Sequence, residues 1–385
     1  MLEKLRYLTA GESHGKGLLG IIDGIPAKLK ISEEYILTQL QRRQRGYGRS
    51  NRMTIEQDYP ELYCGVRQGE TIGGPLGIII NNLDYKNWSE AMSISKNGFS
   101  KKVTLPRPGH ADLAGIKKFG FDDIRNVIER SSARETAMRV ALSSVCRKLL
   151  EDLDIYLCSR VIQILNIKDD TDFNLDFGYQ ETNKSIDCSE VRCQDKDISK
   201  KMISAIRNAK KDGDSVGGVI EILCSGLPFG LGSYTQWDKK LQSKISESLM
   251  SINAFKGIEF GLGFAGSGIL GSKVHDEMEI NKSKISRKSN NAGGIEGGMS
   301  NSQPINIKLS MKPIPTLTKP LDSVDIESLD NQKAHKERTD SCAVPAASII
   351  AENLLSIVIA DTILSKFGGD SMEQLKLHIN QTAEY

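Results

Sequence analysis

Residues 105–139 read LPRPGHADLAGIKKFGFDDIRNVIERSSARETAMR, a stretch that frames His110 with turn residues and then gathers Arg130, Arg134 and Arg139 around the pair Ser131-Ser132. Ser132 with Glu135 three residues on has the spacing of a capping box, which predicts a helix from residue 133 to about residue 153. Ala137, Val140, Ala141, Val145 and Leu149 recur along it at helical spacing and mark a buried face. A helix opening here aims free N–H groups and a positive dipole end outward, and the arginines add charge of the same sign. The stretch therefore reads as an anion site attached to a core helix.

Toward the N-terminus, residues 6–10 and 20–23 read as strands, joined through Gly11-Glu12-Ser13-His14-Gly15. His14 thus sits on a glycine-flanked loop, where side chains are available for work, although a turn histidine making one backbone hydrogen bond is also accounted for there. Ser32 caps a helix with Ile36, Leu37 and Leu40 on one face, and that helix runs into QRRQRGYGRSNR at residues 41–52. Its five arginines suit a solvated helix end, an RNA-binding arm or a loop clamping a multiply charged small anion. A strand pair follows at 61–82, then a surface helix and loop at 88–99.

Toward the C-terminus, strands are expected at 156–164, 219–224, 258–264 and 305–311, and helices at 198–209 and around Leu241, Ile245 and Leu249. Residues 168–194 read as a polar surface excursion and residues 281–290 as a basic, mobile segment. The glycine cluster at 291–300 is either a hairpin turn or bare backbone laid against a ligand. Lys312-Pro313-Ile314-Pro315-Thr316 is held extended by its prolines, and Arg338-Thr339-Asp340-Ser341-Cys342 stands before a long apolar helix at 343–367 with Pro345 in its first turn. Glu352, Asn353 and Asp361 interrupt that apolar run, so it reads as a buried helix and no membrane span.

The 51 basic and 49 acidic residues leave a net charge of +2, too little to draw the chain onto nucleic acid or a membrane, so attraction for anions must be local. Seven cysteines without a CxxC pair argue against a disulfide framework or a zinc site and point to a reducing cytoplasm. The N-terminus has no apolar segment of the secretory kind. No linker or repeat divides residues 1–385, which are expected to form a single domain. Glycine-framed loops carrying arginines, histidines and one aspartate select acid/base work on an anionic small molecule, because guanidinium forks suit phosphate and carboxylate and histidine exchanges a proton near neutrality.

The chain closely resembles the chorismate synthase family over nearly its whole length. The resemblance is carried by Gly11-Glu12-Ser13-His14-Gly15 with Asp23-Gly24-Ile25-Pro26, the arginine run to Arg52, Arg107-Pro108-Gly109-His110-Ala111-Asp112, residues 130–139, 213–218 and 291–298, Lys312 to Thr316, and the Arg338 to Cys342 box. It implies an α+β fold of one large domain, with two antiparallel sheets sandwiched with helices, assembled as a homotetramer. It also implies a lyase that converts 5-enolpyruvylshikimate 3-phosphate to chorismate by trans-1,4 elimination of phosphate with loss of a ring proton. Reduced FMN is the implied cofactor, and no metal is.

By matching motifs, the resemblance gives His14 the role of proton donor to the departing phosphate. His110 becomes the acid near the flavin ring, and Asp340 the group that takes up a proton relayed through the flavin. The implied flavin contacts are Arg130, Ser131, Ser132, Asn253, Ala254, Gly297, Lys312, Pro313, Ile314, Pro315, Thr316 and Arg338. Arg43 and Arg49, with Arg52, Arg107 and Arg134, are implied for the substrate's phosphate and carboxylates, or for NADP. The absence of a GxGxxG after an expected strand leans toward an external flavin reductase rather than self-reduction with NADPH. Thr339, Ser341 and Ser302 depart from residues common in the family, Ser302 replacing a glycine.

Overall fold

Helix Val344–Phe367 runs through the middle of the molecule, buried from Val344 through Leu364. The computed structural model describes residues 2–50, 55–95, 98, 101–173, 178–281 and 284–382, and among these it is the one helix long and apolar enough to cross a membrane. Here protein surrounds it, and its charged residues have protein partners. Asp361 Oδ1 accepts from the backbone N–H groups of Lys4 and Leu5 at 2.7 and 2.9 Å and so ties down the N-terminal segment. Pro345 occupies the first turn, where a missing N–H costs nothing.

Two antiparallel sheets flank the helical layer. The first has the order Arg6–Gly11, Gly17–Asp23, Leu76–Asn81, Pro60–Cys64, and the second Phe255–Phe260, Ile305–Met311, Gly218–Ser225, Tyr156–Ile164, Ile167–Lys168. Strand Ile305–Met311 shows the period-two pattern that binds a sheet to a core, with Ile305, Ile307, Leu309 and Met311 buried and Ser310 exposed. Helix Thr136–Glu151 lies against the first sheet, Val344–Phe367 against the second, and the two helices pack on each other. Gly20 permits the closest approach: a Cβ there would sit 2.5 Å from Met138 Sδ. The result is the expected α+β sandwich of two antiparallel sheets with helices between them, and one continuous apolar cluster joins its layers.

Local differences from the sequence reading have physical causes. Two helices, Asp112–Phe119 and Arg125–Ser131, precede Ser132, the second of them ending on the first serine of the pair, so Ser132 links two helical segments instead of opening an isolated one. The reciprocal capping box does not form. Ser132 Oγ accepts from Arg134 N at the start of a 3-10 turn, while the Glu135 carboxylate accepts from Thr9 Oγ1 at 2.7 Å and from Arg139, and the helix proper begins at Thr136. The excursion at 168–194 holds helix Tyr179–Asp187. The strand expected at 258–264 is Phe255–Phe260, which turns into a 3-10 segment at Gly263–Gly268. The basic segment is part of a hairpin, Met278–Asn281 with Lys284–Arg287, whose register sets Ile280 opposite Ile285. Ser302 keeps the left-handed backbone that favours glycine, at φ +67.

Candidate active site

One cavity of about 370 Å³ opens beside the first turn of the central helix, and segments from separate parts of the chain reach it. The Gly11–Gly15 loop brings Ser13 and His14, and the loop after helix Glu33–Gln44 brings Arg49 and Ser50. The segment before Asp112–Phe119 supplies Arg107 and His110, the 252–254 turn supplies Asn253, and the residues before Val344–Phe367 supply Arg338 and Asp340. Arg43, Ser131, Ser132, Ala254, Arg134, Lys312, Ile314, Pro315 and Thr316 complete the expected set on the lining. Three expected residues lie off it. Arg130 donates to Thr9 O and Gly11 O on the first strand. Gly297 is in the exposed turn of a small hairpin formed by Ile295–Glu296 and Met299–Ser300, and Pro313 is exposed. Arg52 lies outside the described residues.

Each histidine is held by a buried carboxylate. His14 Nδ1 lies 2.9 Å from Glu129 Oε1, and the His14 backbone N–H donates to Glu129 Oε2 at 2.7 Å. The His14 ring also packs against Trp88, with centroids 4.0 Å apart and the planes tilted by 30°. Burial opposes the Glu129 charge, but the hydrogen bonds and charge of His14 outweigh it and hold the carboxyl below its ordinary value. His110 Nδ1 lies 2.5 Å from Asp112 Oδ1. Asp112 is fully buried, a cost that His110 and Arg107 more than offset, holding its carboxyl well below the usual carboxylate range. Arg107 donates to Asp112 Oδ2 through Nε at 2.8 Å and to Thr316 Oγ1 through Nη1 at 3.0 Å, joining the two loops.

The cavity arginines also have carboxylate partners. Asp58 bridges Arg43, at 3.3 Å, and Arg134, and Glu56 lies 3.7 Å from Arg134. Burial is the main cause that lowers Arg43 to about 10. Arg49 pairs with Asp340 at 3.1 Å, and Asp340 Oδ1 also accepts from Ser50 N at 2.7 Å. Ser341 donates to Gly48 O through its backbone N–H at 2.8 Å, so the two departures at 339 and 341 leave Asp340 tied to the arginine loop. Lys312 has no carboxylate partner among the described residues, and its Nζ donates to Gly109 O at 2.6 Å. Sequence reading missed Glu56, Asp58 and Glu129 altogether and gave Asp112 no task. The signal available was only that isolated arginines and histidines converging in a nearly neutral chain require counter-charges to be buried.

One glycine-like turn and one side-chain clasp fix the floor. Ala254 adopts φ +68, its carbonyl accepts from Lys312 N, and Asn253 Nδ2 donates to Ser131 O at 3.1 Å. Ser215 Oγ donates to Ile314 O at 2.6 Å and holds the 312–316 segment against the glycine loop. Ser131 Oγ is buried without a hydrogen-bond partner among the described residues, leaving a donor for a ligand. No cluster of His, Cys, Asp or Glu able to hold a metal occurs among the described residues, and the described cysteines are free thiols.

Fold and cavity together define an acid/base enzyme on a two-sheet α+β sandwich, built to hold a small polyanion. The family model for chorismate synthase matches residues 5–364. The chain is 52% identical over 373 residues to the chorismate synthase of Alkaliphilus metalliredigens, covering 96% of this chain and 97% of that one. It is 48% identical over 382 residues to that of Listeria welshimeri, covering 98% of each. A crystal structure of chorismate synthase superposes with a TM-score of 0.80 at 37% identity, over 100% of this chain and 98% of the other. The chain belongs to the chorismate synthase family.

Proposed function

We propose that this cavity converts 5-enolpyruvylshikimate 3-phosphate to chorismate, the last common step of the shikimate pathway, by trans-1,4 elimination of phosphate and a ring proton. The observation that carries this reading is the convergence of two carboxylate-held histidines, Asp340 and five arginines on one cavity. A substrate with one phosphate and two carboxylates needs several guanidinium forks, and of the arginines on the lining we assign Arg43, Arg49, Arg107 and Arg134 to it. Each leaves a carboxylate partner in place behind it, so the forks are oriented before substrate arrives.

Protonated His14 donates to the departing phosphate oxygen while Glu129 balances its charge. Asp340, held by Arg49 and the Ser50 N–H, takes up the proton lost from the ring. His110, with Nδ1 on Asp112 and its ring against Arg107, whose Nη2 lies 3.1 Å from Nδ1 and 3.4 Å from Nε2, is the acid we assign to the cofactor side of the cavity. Reduced FMN is the cofactor we assign, and when bound it supplies an electron-rich ring beside the substrate as phosphate leaves. The unpartnered Ser131 Oγ, the Asn253-Ala254 turn and Lys312 suit its polar groups. Ser131, Ser132, Asn253, Ala254, the segment from Lys312 to Thr316, and Arg338 would hold it. Arg130, Gly297 and Pro313 remain assigned to it on the motif match alone.

We assign the supply of reduced flavin to a separate reductase, working in the cytoplasm. Assembly as a homotetramer is supported by Leu8, Leu19 and Ile21, which are exposed together on the outer face of the first sheet. The test is an anaerobic assay with the substrate and chemically reduced FMN, following chorismate absorbance. Turnover should depend strictly on reduced flavin, and phosphate release without it overturns the reading. His14→Ala and His110→Ala should fold and bind FMN but turn over about 10²–10⁴-fold more slowly, the usual weight of a positioned proton-transfer group. Near-wild-type rates in either variant remove that histidine from the mechanism.

A further inference from the structure

We infer that Glu129 is a positioning residue for catalysis, one that fixes the tautomer of His14 and orients its ring for proton donation. The inference rests on the reading of His14 as the donor to the leaving phosphate. The Glu129 side chain is 3% exposed and its two oxygens are divided between the ring and the backbone of one residue, Oε1 on Nδ1 and Oε2 on the His14 N–H. That grip fixes the ring's rotation as well as its position. It also fixes the chemistry: a carboxylate accepts only, so Nδ1 must carry a proton in both charge states, and Nε2 gains or loses the proton that matters. Nε2 has no protein partner among the described residues, and His14 lines the cavity, so that nitrogen is the one left for a ligand.

The surroundings hold the same arrangement from every side. Trp88 covers the ring, and the Arg125 guanidinium lies over the Trp88 ring, 5.1 Å from its centroid. Arg125 also approaches Glu129 Oε1 at 3.4 Å and would oppose an imidazolium, but Glu337 pairs with it at 2.9 Å and takes up its charge. Glu337 is in turn bonded to His335 at 3.0 Å. Asp84, hydrogen-bonded to the Trp88 side chain, is committed to Arg338 at 2.7 Å. The backbone of the same two segments is stitched by Ser13 N donating to Glu129 O at 2.9 Å, and their side chains by Ser13 Oγ donating to Ser132 Oγ at 3.0 Å. Of the carboxylates near His14, Glu129 alone contacts it among the described residues.

The sign of the expected effect follows from charge. Replacing Glu129 by neutral Gln keeps the size and a hydrogen-bond acceptor, but removes the anion that favours imidazolium. Glu129→Gln should therefore move the alkaline limb of the kcat profile about one pH unit toward acid, with kcat at pH 8 down about tenfold and KM for substrate changed less than twofold. An assay at low pH should recover most of the lost rate, which a merely structural defect would not allow. Superposable kcat profiles for wild type and Glu129→Gln overturn the inference. Should the variant fail to fold, ¹⁵N spectra of His14 in the wild-type protein decide: a protonated Nδ1 across the titration supports it, and an unprotonated Nδ1 overturns it. His14→Ala separates the two claims. If that variant turns over normally, His14 is no donor and both readings fall. If it is slow while Glu129→Gln matches wild type, only the role of Glu129 falls.

Discussion

Arg42 and Arg43 are neighbours on the last turn of one helix and end in different chemistry. Arg42 turns into the helical layer, where its Nη1 donates to Glu352 Oε1 at 2.8 Å and its Nε to Asp187 Oδ2 at 2.7 Å. Arg147, at 2.5 Å, and Arg192, at 3.7 Å, close on the same Glu352, whose side chain is fully buried. Arg43 turns about a hundred degrees away around the helix, onto Asp58, Thr136 and the cavity. Both arginines are buried and paired, so burial and pairing do not separate a structural cation from a binding one. The separation comes from what lies beyond the pair: protein on every side for Arg42, an open cavity for Arg43.

Removing the anion from the inner cluster should have the largest effect. Glu352→Gln leaves three guanidiniums without their shared counter-charge, and a loss of about 3–5 kcal/mol is expected, as for other broken buried pairs. Urea unfolding measures it. A loss under about 1 kcal/mol would mean that the cluster is not what holds the central helix to its neighbours. Turnover per folded molecule should stay near wild type, since nothing in this cluster lines the cavity.

The neighbouring pair sharpens the contrast further. Arg42→Lys and Arg43→Lys keep the charge and remove the planar fork. A charge-assisted hydrogen bond contributes about 1.5–3 kcal/mol. For Arg42→Lys that loss should appear in the unfolding midpoint with KM unchanged. For Arg43→Lys it should appear as a rise in KM of about tenfold or more, by the relation of 1.4 kcal/mol to a factor of ten. The same readout moving in both variants would dissolve the distinction between the two clusters.

The smallest effect should come from the cavity's rim. Burial disfavours the Glu337 charge, yet His335 and Arg125 overcome it and bring the carboxyl to about 2 from an ordinary 4.5. A depressed carboxyl contributes stability above its unfolded value and loses it as pH falls through the folded one. Glu337→Gln should thus be less stable than wild type at pH 6, by about 1 kcal/mol, and the two stability curves should converge between about pH 4.5 and pH 2. A constant gap over that window would show that the Glu337 contribution is not electrostatic.

Much of the site was legible because the residues that meet ligands stand in short, glycine-framed boxes. Within Gly11-Glu12-Ser13-His14-Gly15 and Arg107-Pro108-Gly109-His110-Ala111-Asp112, backbone freedom and reactive side chains occur together, and both histidines line one cavity. The counter-charges were not legible. Glu129 lies 115 residues from His14 in sequence, and Asp58 lies 76 from Arg134. No local pattern marks an acidic residue as the partner of a distant cation, because the pairing exists only once two loops are folded together. Helix Arg125–Ser131 was missed for a related reason: it is short, and propensity alone does not support a helix of two turns outside its tertiary setting.

Local chemistry in the sequence by itself determined the strands, the long helices, the extended proline segment and the absence of a strong global charge. Period-two and period-3.6 burial patterns are properties of the chain, and so are caps and prolines. The family boxes carry the architecture, though periodicity could not have chosen how the sheets lie about the helices. Only the tertiary structure decided which arginine serves the core and which the cavity, that Glu135 bonds Thr9 and Arg139 instead of capping its helix, and that Glu129 and Asp112 stand behind the two histidines. Electrostatic pairing acts over a few ångströms whatever the separation along the chain, and a sequence records only the latter.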